Sequence, residues 1–192
     1  MKPKSIVHLA SRLGLVALLL CISGAAFAQE KDSAAISEAL NSARSHAALA
    51  HDDSATLESY MRSSMSWQSH ARQLQLIKEH ANDLLGDFNT LTSLRAEGST
   101  WQREAIDRID PILREMADHL NRTIDHLNNN QSRFQMQPYK DYVHANLDYM
   151  ERAHQTISDF VEYDAARSKA DDLEKKLEIP AEQSASANPT SE

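Results

Sequence analysis

The chain has 192 residues, 41% of them hydrophobic, 25% charged and 6% aromatic, with 1 Cys, 4 Gly, 5 Pro and a formal charge of −8. This composition is too apolar for an acidic disordered chain. It is also too poor in Gly and aromatics for a many-stranded β-sandwich or barrel, and too poor in Cys for a disulfide scaffold. A largely helical domain behind a processed N-terminus remains.

Residues 1–28 read as a secretory signal peptide. Lys2, Lys4 and Arg12 form its basic start, Leu13 to Ile22 its apolar stretch, and Ala26-Phe27-Ala28 a small-x-small cleavage site, so cleavage is expected between Ala28 and Gln29. The apolar stretch is too short for a membrane span, which needs about 20 residues. Lipid attachment through Cys21 is disfavoured because Leu20 precedes it where a small residue is required.

Cleavage leaves 17 of the 20 Lys and Arg against all 28 Asp and Glu, a net charge of −11. Bulk attraction to nucleic acid or anionic lipid is therefore not expected. The single Cys leaves with the leader, which removes thiol nucleophiles, thiolate zinc sites, iron–sulfur clusters and covalent CxxCH haem from the mature chain.

Only Gly86 and Gly98, with Pro111, Pro138, Pro180 and Pro189, punctuate the remainder, so long helices are expected. The first, about 33–51, spaces Ile36, Leu40, Ala43, Ala47 and Ala50 as a narrow, alanine-rich stripe. His51-Asp52-Asp53-Ser54 then offers cap chemistry for a new start, although one helix through this point is compatible with the pattern. The second, about 54–96, carries Tyr60, Ser64, Trp67, Ala71, Leu74, Ile77, Ala81, Leu84, Phe88 and Leu91 at coiled-coil-like spacing. It would be about 64 Å long. Gly98 suits the position past its end, and Ser99 with Gln102 forms a capping box for the next helix.

The third helix, about 100–131, is built on Ile109, Ile112, Leu113, Met116, Leu120, Ile124 and Leu127. Pro111 either kinks it or starts it, with Asp110 as the cap. The fourth, about 138–178, carries Tyr139, Val143, Leu147, Met150, Ile157, Val161 and Ala165. Residues 29–179 thus form one domain, and the small polar tail at 180–192 is expected to be disordered. The architecture expected is all-α: an elongated antiparallel up-down bundle of three long helices plus a shorter N-terminal one. A coiled-coil dimer is the alternative.

Histidine is the compositional anomaly, with eight left after cleavage. His70 and His154 fall within about 40° of the centre of their apolar stripes, and folding the hairpins puts His70, His126 and His144 at one height. His70, His126 and His154 are therefore the candidates for a haem or transition-metal site, as bundles build such sites from facing helices. The simpler expectation is structural or solvated histidines and no cofactor. His119 and His126, beside Glu115 and Arg122, form an ordinary polar ridge.

Asp141-x-x-His144 and Glu151-x-x-His154 resemble the di-iron carboxylate element, but both lie on one helix. Met61 and Met65 suit packing better than copper. Tyr142, Tyr149 and Tyr163 point off the fourth stripe, toward a groove with the first helix or toward a partner. GxSxG, HExxH, P-loop and dinucleotide motifs are absent from the sequence. The expected role is non-enzymatic: an exported, periplasmic or secreted component of the cell envelope that binds a protein partner or self-associates.

Overall fold

The computed structural model describes residues 31–178. The predicted leader at 1–28, with its cleavage point, and the predicted tail at 180–192 lie outside these residues. The described chain is all-α, a bundle of four helices: α1 (Ala34–Tyr60), α2 (Trp67–Leu94), α3 (Thr100–Asn129) and α4 (Gln137–Leu177). None is long and apolar enough to cross a membrane.

Contacts between helices run in opposite sequence directions, which makes the bundle up-down. His46 of early α1 reaches Asp87 of late α2, whereas Asp53 of later α1 accepts from Gln73 near the start of α2. Between α1 and α4, Asp32 lies by Arg167 and Glu58 by His144. Each helix buries its 3/4-spaced face, with Leu40, Ile77, Leu84, Leu113, Met116 and Ile157 all within 1% of complete burial. Ala43, Ala47 and Ala50 of α1 are fully buried too, so their small side chains let neighbouring helices approach closely.

The first two helices differ from the sequence expectation. The chain does not restart at His51–Ser54, and the expected short first helix is a full 27 residues. The cap-type side chains are otherwise engaged: Ser54 Oγ donates back to the Ala50 carbonyl at 2.8 Å, and Asp53 accepts from Gln73 of α2 at 2.9 Å. The break falls instead at residues 61–66, where the hydroxyl of Ser66 accepts from the backbone N–H of Ser69 to cap α2. Tyr60 therefore ends α1 and Ser64 lies in the connection, so the regular spacing from 60 to 71 joins two helices. The length of α2 is then 28 residues, not the 43 of the expected range.

The connection to α3 is a single 3₁₀ turn, Arg95–Glu97, followed by Gly98 and the expected capping box of Ser99 and Gln102. Gly98 is needed for space, because its backbone is extended (φ −79°, ψ 150°) and a Cβ there would stand 2.8 Å from Cδ1 of the fully buried Ile36. Pro111 lies inside a continuous α3. An internal proline removes one backbone hydrogen bond at a cost of about 3 kcal/mol. Here Ala105, Ile106 and Ile109 are buried before it and Ile112, Leu113 and Met116 after it, which holds the helix across the gap. Pro138 opens α4 in its first turn, where a missing N–H costs nothing.

Candidate functional site

His70 in the first turn of α2 is 1% exposed, and Tyr139 in the first turn of α4 is 0% exposed. The phenol oxygen of Tyr139 hydrogen-bonds with Nδ1 of His70 at 3.3 Å. Around the imidazole stand the rings of Tyr60 from the end of α1, Phe134 from the α3–α4 connection and Tyr139, with centroids 5.6, 5.1 and 5.6 Å away, all edge-on. The other ring nitrogen, Nε2, is buried without a hydrogen-bond partner. Burial pushes the His70 pKa below its ordinary 6.5 and the Tyr139 pKa above its ordinary 10.0. Both groups are thus held neutral.

From Tyr139 a ladder of rings continues along the α3–α4 boundary. His126 stacks on Tyr139 at 6.2 Å and packs on Tyr142 at 4.9 Å, and His119 sits between Tyr142 and Tyr149 at 5.5 and 5.1 Å. The seven-residue spacing of His119 and His126 on α3 matches that of Tyr142 and Tyr149 on α4, so the two sets interleave. His119 Nε2 is also 3.1 Å from the Tyr142 carbonyl. The tyrosines face a groove with α3, not with α1 as the sequence suggested, because the α3 histidines at the core border supply the matching surface. Tyr163 likewise packs on Trp101 of α3.

Of the three histidines predicted as possible ligands, His70 and His126 both pack against Tyr139, and His154 does not join them. It stacks on His51 of α1 at 5.7 Å, on another face of α4. His144, placed at the height of His70 by the hairpin folding, is exposed beside Glu58. The remaining histidines bridge helices through carboxylates: His46 to Asp87 at 2.7 Å, His51 to Glu151 at 2.9 Å and His80 to Asp53 at 3.5 Å. Glu151, half of one apparent di-iron element, is thereby turned toward α1. Among the described residues no group of three or more His, Cys, Asp or Glu side chains is arranged to hold a metal ion.

One polar residue, and the second use of another, were not legible from spacing. Asn146 is 0% exposed, and neither its amide nitrogen nor its oxygen has a hydrogen-bond partner. It occupies the buried position that the stripe pattern assigned to Leu147, which is only half-buried. Replacing Asn146 with Leu is expected to raise the unfolding free energy by about 1–3 kcal/mol, since an unpaired buried amide becomes apolar surface of similar size. Urea unfolding should show a higher midpoint at unchanged slope, and a lower midpoint would contradict the assignment. Gln102 is also 0% exposed, and it ties the starts of α1 and α3 together.

The buried, neutral His70 makes a pH prediction. As pH falls below about 6.5 the unfolded chain takes up a proton that the folded His70 resists, so folded stability drops on acidification by up to about 1.4 kcal/mol per pH unit. The loss runs from about 6.5 down to the lower folded-state value. Chemical unfolding at about pH 7 and about pH 5.5 should show a smaller acid loss in His70→Gln than in the parent chain. An equal loss in both would contradict it.

At the opposite end of the bundle Trp101, Ile112, Phe160 and Tyr163 line an open groove of about 520 Å³ between α3 and α4, with Glu104, Arg108 and Asp159 at its rim. Comparison of the chain with family models, curated proteins and solved structures finds no match.

Proposed function

We propose that this chain is an exported helical-bundle component of the cell envelope, non-enzymatic, with a binding or structural role fulfilled by protein contacts. The observation that carries the reading is the use made of histidine. All eight described histidines touch another helix: five through hydrogen-bonding distances to carboxylate or carbonyl oxygens or to the Tyr139 phenol, and the others through rings or longer ion pairs. Such side chains hold a bundle together and leave its outer surface for contacts. The basic-apolar leader and its cleavage site support export, and the acidic balance of the mature chain disfavours nucleic acid.

Cell fractionation with intact-mass measurement tests the reading. The chain is expected outside the cytoplasm with the mass of residues 29–192. A full-length chain confined to the cytoplasm would overturn it.

A second reading, a haem- or transition-metal-binding bundle, is favoured by one observation, the buried Nε2 of His70 that lacks a partner. Nδ1 is already engaged by Tyr139, so Nε2 is the atom that would take a metal.

A further inference from the structure

Helix α4 has 41 residues, against 27 to 30 in the other three. The bundle closes at the level of Arg167, whose Nε lies 3.4 Å from Asp32, just before α1. The ten residues from Ser168 to Leu177 run on for about 15 Å, exposed among the described residues except for the half-buried Asp171. This arm exposes Leu173 (46%) and Leu177 (61%). Isolated short helices are marginal in water, so two exposed leucines on one face of such an extension call for a cover.

The exposed apolar residues are spaced as a coiled-coil seam. Ala166, Ala170, Leu173 and Leu177 recur at intervals of four and three. At 100° per residue they lie about 120–180° round the helix from the buried Val161, on the side opposite the core. Tyr163, just before them, is held against Trp101 of α3. Lys169 flanks one side of the seam and Glu174 the other.

In a parallel two-stranded coil, flanking residues five apart meet across the seam. Two copies of α4 would then bring Lys169 against Glu174 of the second copy, twice by symmetry. An antiparallel pairing that opposes Ala170 to Leu173 instead sets Lys169 against Lys176. The chain's own ends offer little cover. Expected cleavage leaves Gln29 and Glu30 ahead of Lys31, and Ile179 is the sole large apolar residue in 179–192.

The geometry points to α4 as a self-pairing arm, through which two copies of the mature chain join in parallel over Ala166–Leu177. This inference deepens the proposed protein-contact role and rests on it. The seam is short and half alanine, so the association is weak and depends on concentration.

Sedimentation equilibrium of the mature chain between about 10 μM and about 1 mM should show the mass rising from monomer to dimer. Leu173→Asp with Leu177→Asp should give a monomer throughout, with an unchanged helical circular dichroism spectrum. Lys169→Glu should weaken association about tenfold or more, and Lys169→Glu with Glu174→Lys should restore it. A mature chain that stays monomeric over the whole range overturns the arm, as does a dimer indifferent to the double aspartate or one strengthened by Lys169→Glu. Those outcomes leave the envelope reading to be decided separately, by the fractionation result.

Discussion

Tyr139→Ala is expected to destabilise the bundle by about 3–5 kcal/mol, the range for emptying the site of a fully buried aromatic. Tyr139 is the largest of the fully buried side chains and the meeting point of three neighbours: it hydrogen-bonds His70, stacks with His126 and packs against Phe134. Its removal leaves a cavity and also strips the Nδ1 of His70 of its partner, so both ring nitrogens of a buried imidazole lack partners. For a domain of this size the melting temperature should fall by on the order of 10 °C. Tyr139→Phe separates the two effects. It keeps the ring and loses the hydroxyl, and should cost about 1–3 kcal/mol. A Tyr139→Ala melting point within experimental error of the parent would show that this end of the bundle is not packed as described.

Gln102→Ala is expected to cost about 2–4 kcal/mol, an unusually large effect for a glutamine. Its side-chain oxygen accepts from the backbone N–H of Ser33 at 2.9 Å and of Ser99 at 3.1 Å, while its amide donates to the Ser33 carbonyl at 2.9 Å. One side chain thus satisfies the first turns of two helices that are far apart in sequence. Truncation leaves the N–H groups of Ser33 and Ser99 without this acceptor, near a fully buried Ile36, while the Ser33 carbonyl keeps the N–H of Ser37. Gln102→Glu keeps the acceptor and loses the donor, so it should also destabilise, by less than the alanine. Equal stability of the alanine variant and the parent would show that water replaces these bonds at no cost.

The legibility of the fold in the sequence varied from helix to helix for physical reasons. The α3 boundaries were readable because its stripe is dense in Ile and Leu and its start is coded by Ser99 and Gln102, whose reciprocal bonds both form. Pro138 marked the start of α4 in the same way. The border between α1 and α2 was not readable. His51-Asp52-Asp53-Ser54 has the composition of a cap, yet Asp53 and His51 serve α2 and α4 across the bundle, a use that only tertiary packing defines. The serine-rich turn at 61–66 was masked by apolar spacing that happens to run through it.

The histidine cluster was legible in part. Hairpin folding put His70 and His126 in one layer, and each packs against Tyr139. It put His144 there too, but the helical phase of α4 turns that residue outward to Glu58. The angle of His154 from its stripe indicated partial burial correctly and said nothing of its neighbour, His51 of α1. The stripe pattern passed over Asn146 because a polar residue at a core position carries no apolar signal. The adjacent Leu147 carried that signal in its place.

Metal analysis and a visible absorption spectrum of the mature chain, purified from its native compartment, test most directly the claim that the histidines serve as ties between helices. No stoichiometric metal, no Soret band and a melting temperature that a chelator leaves unchanged are expected. A stoichiometric metal or a Soret band that disappears in His70→Ala, while the variant keeps its helical fold, would contradict it.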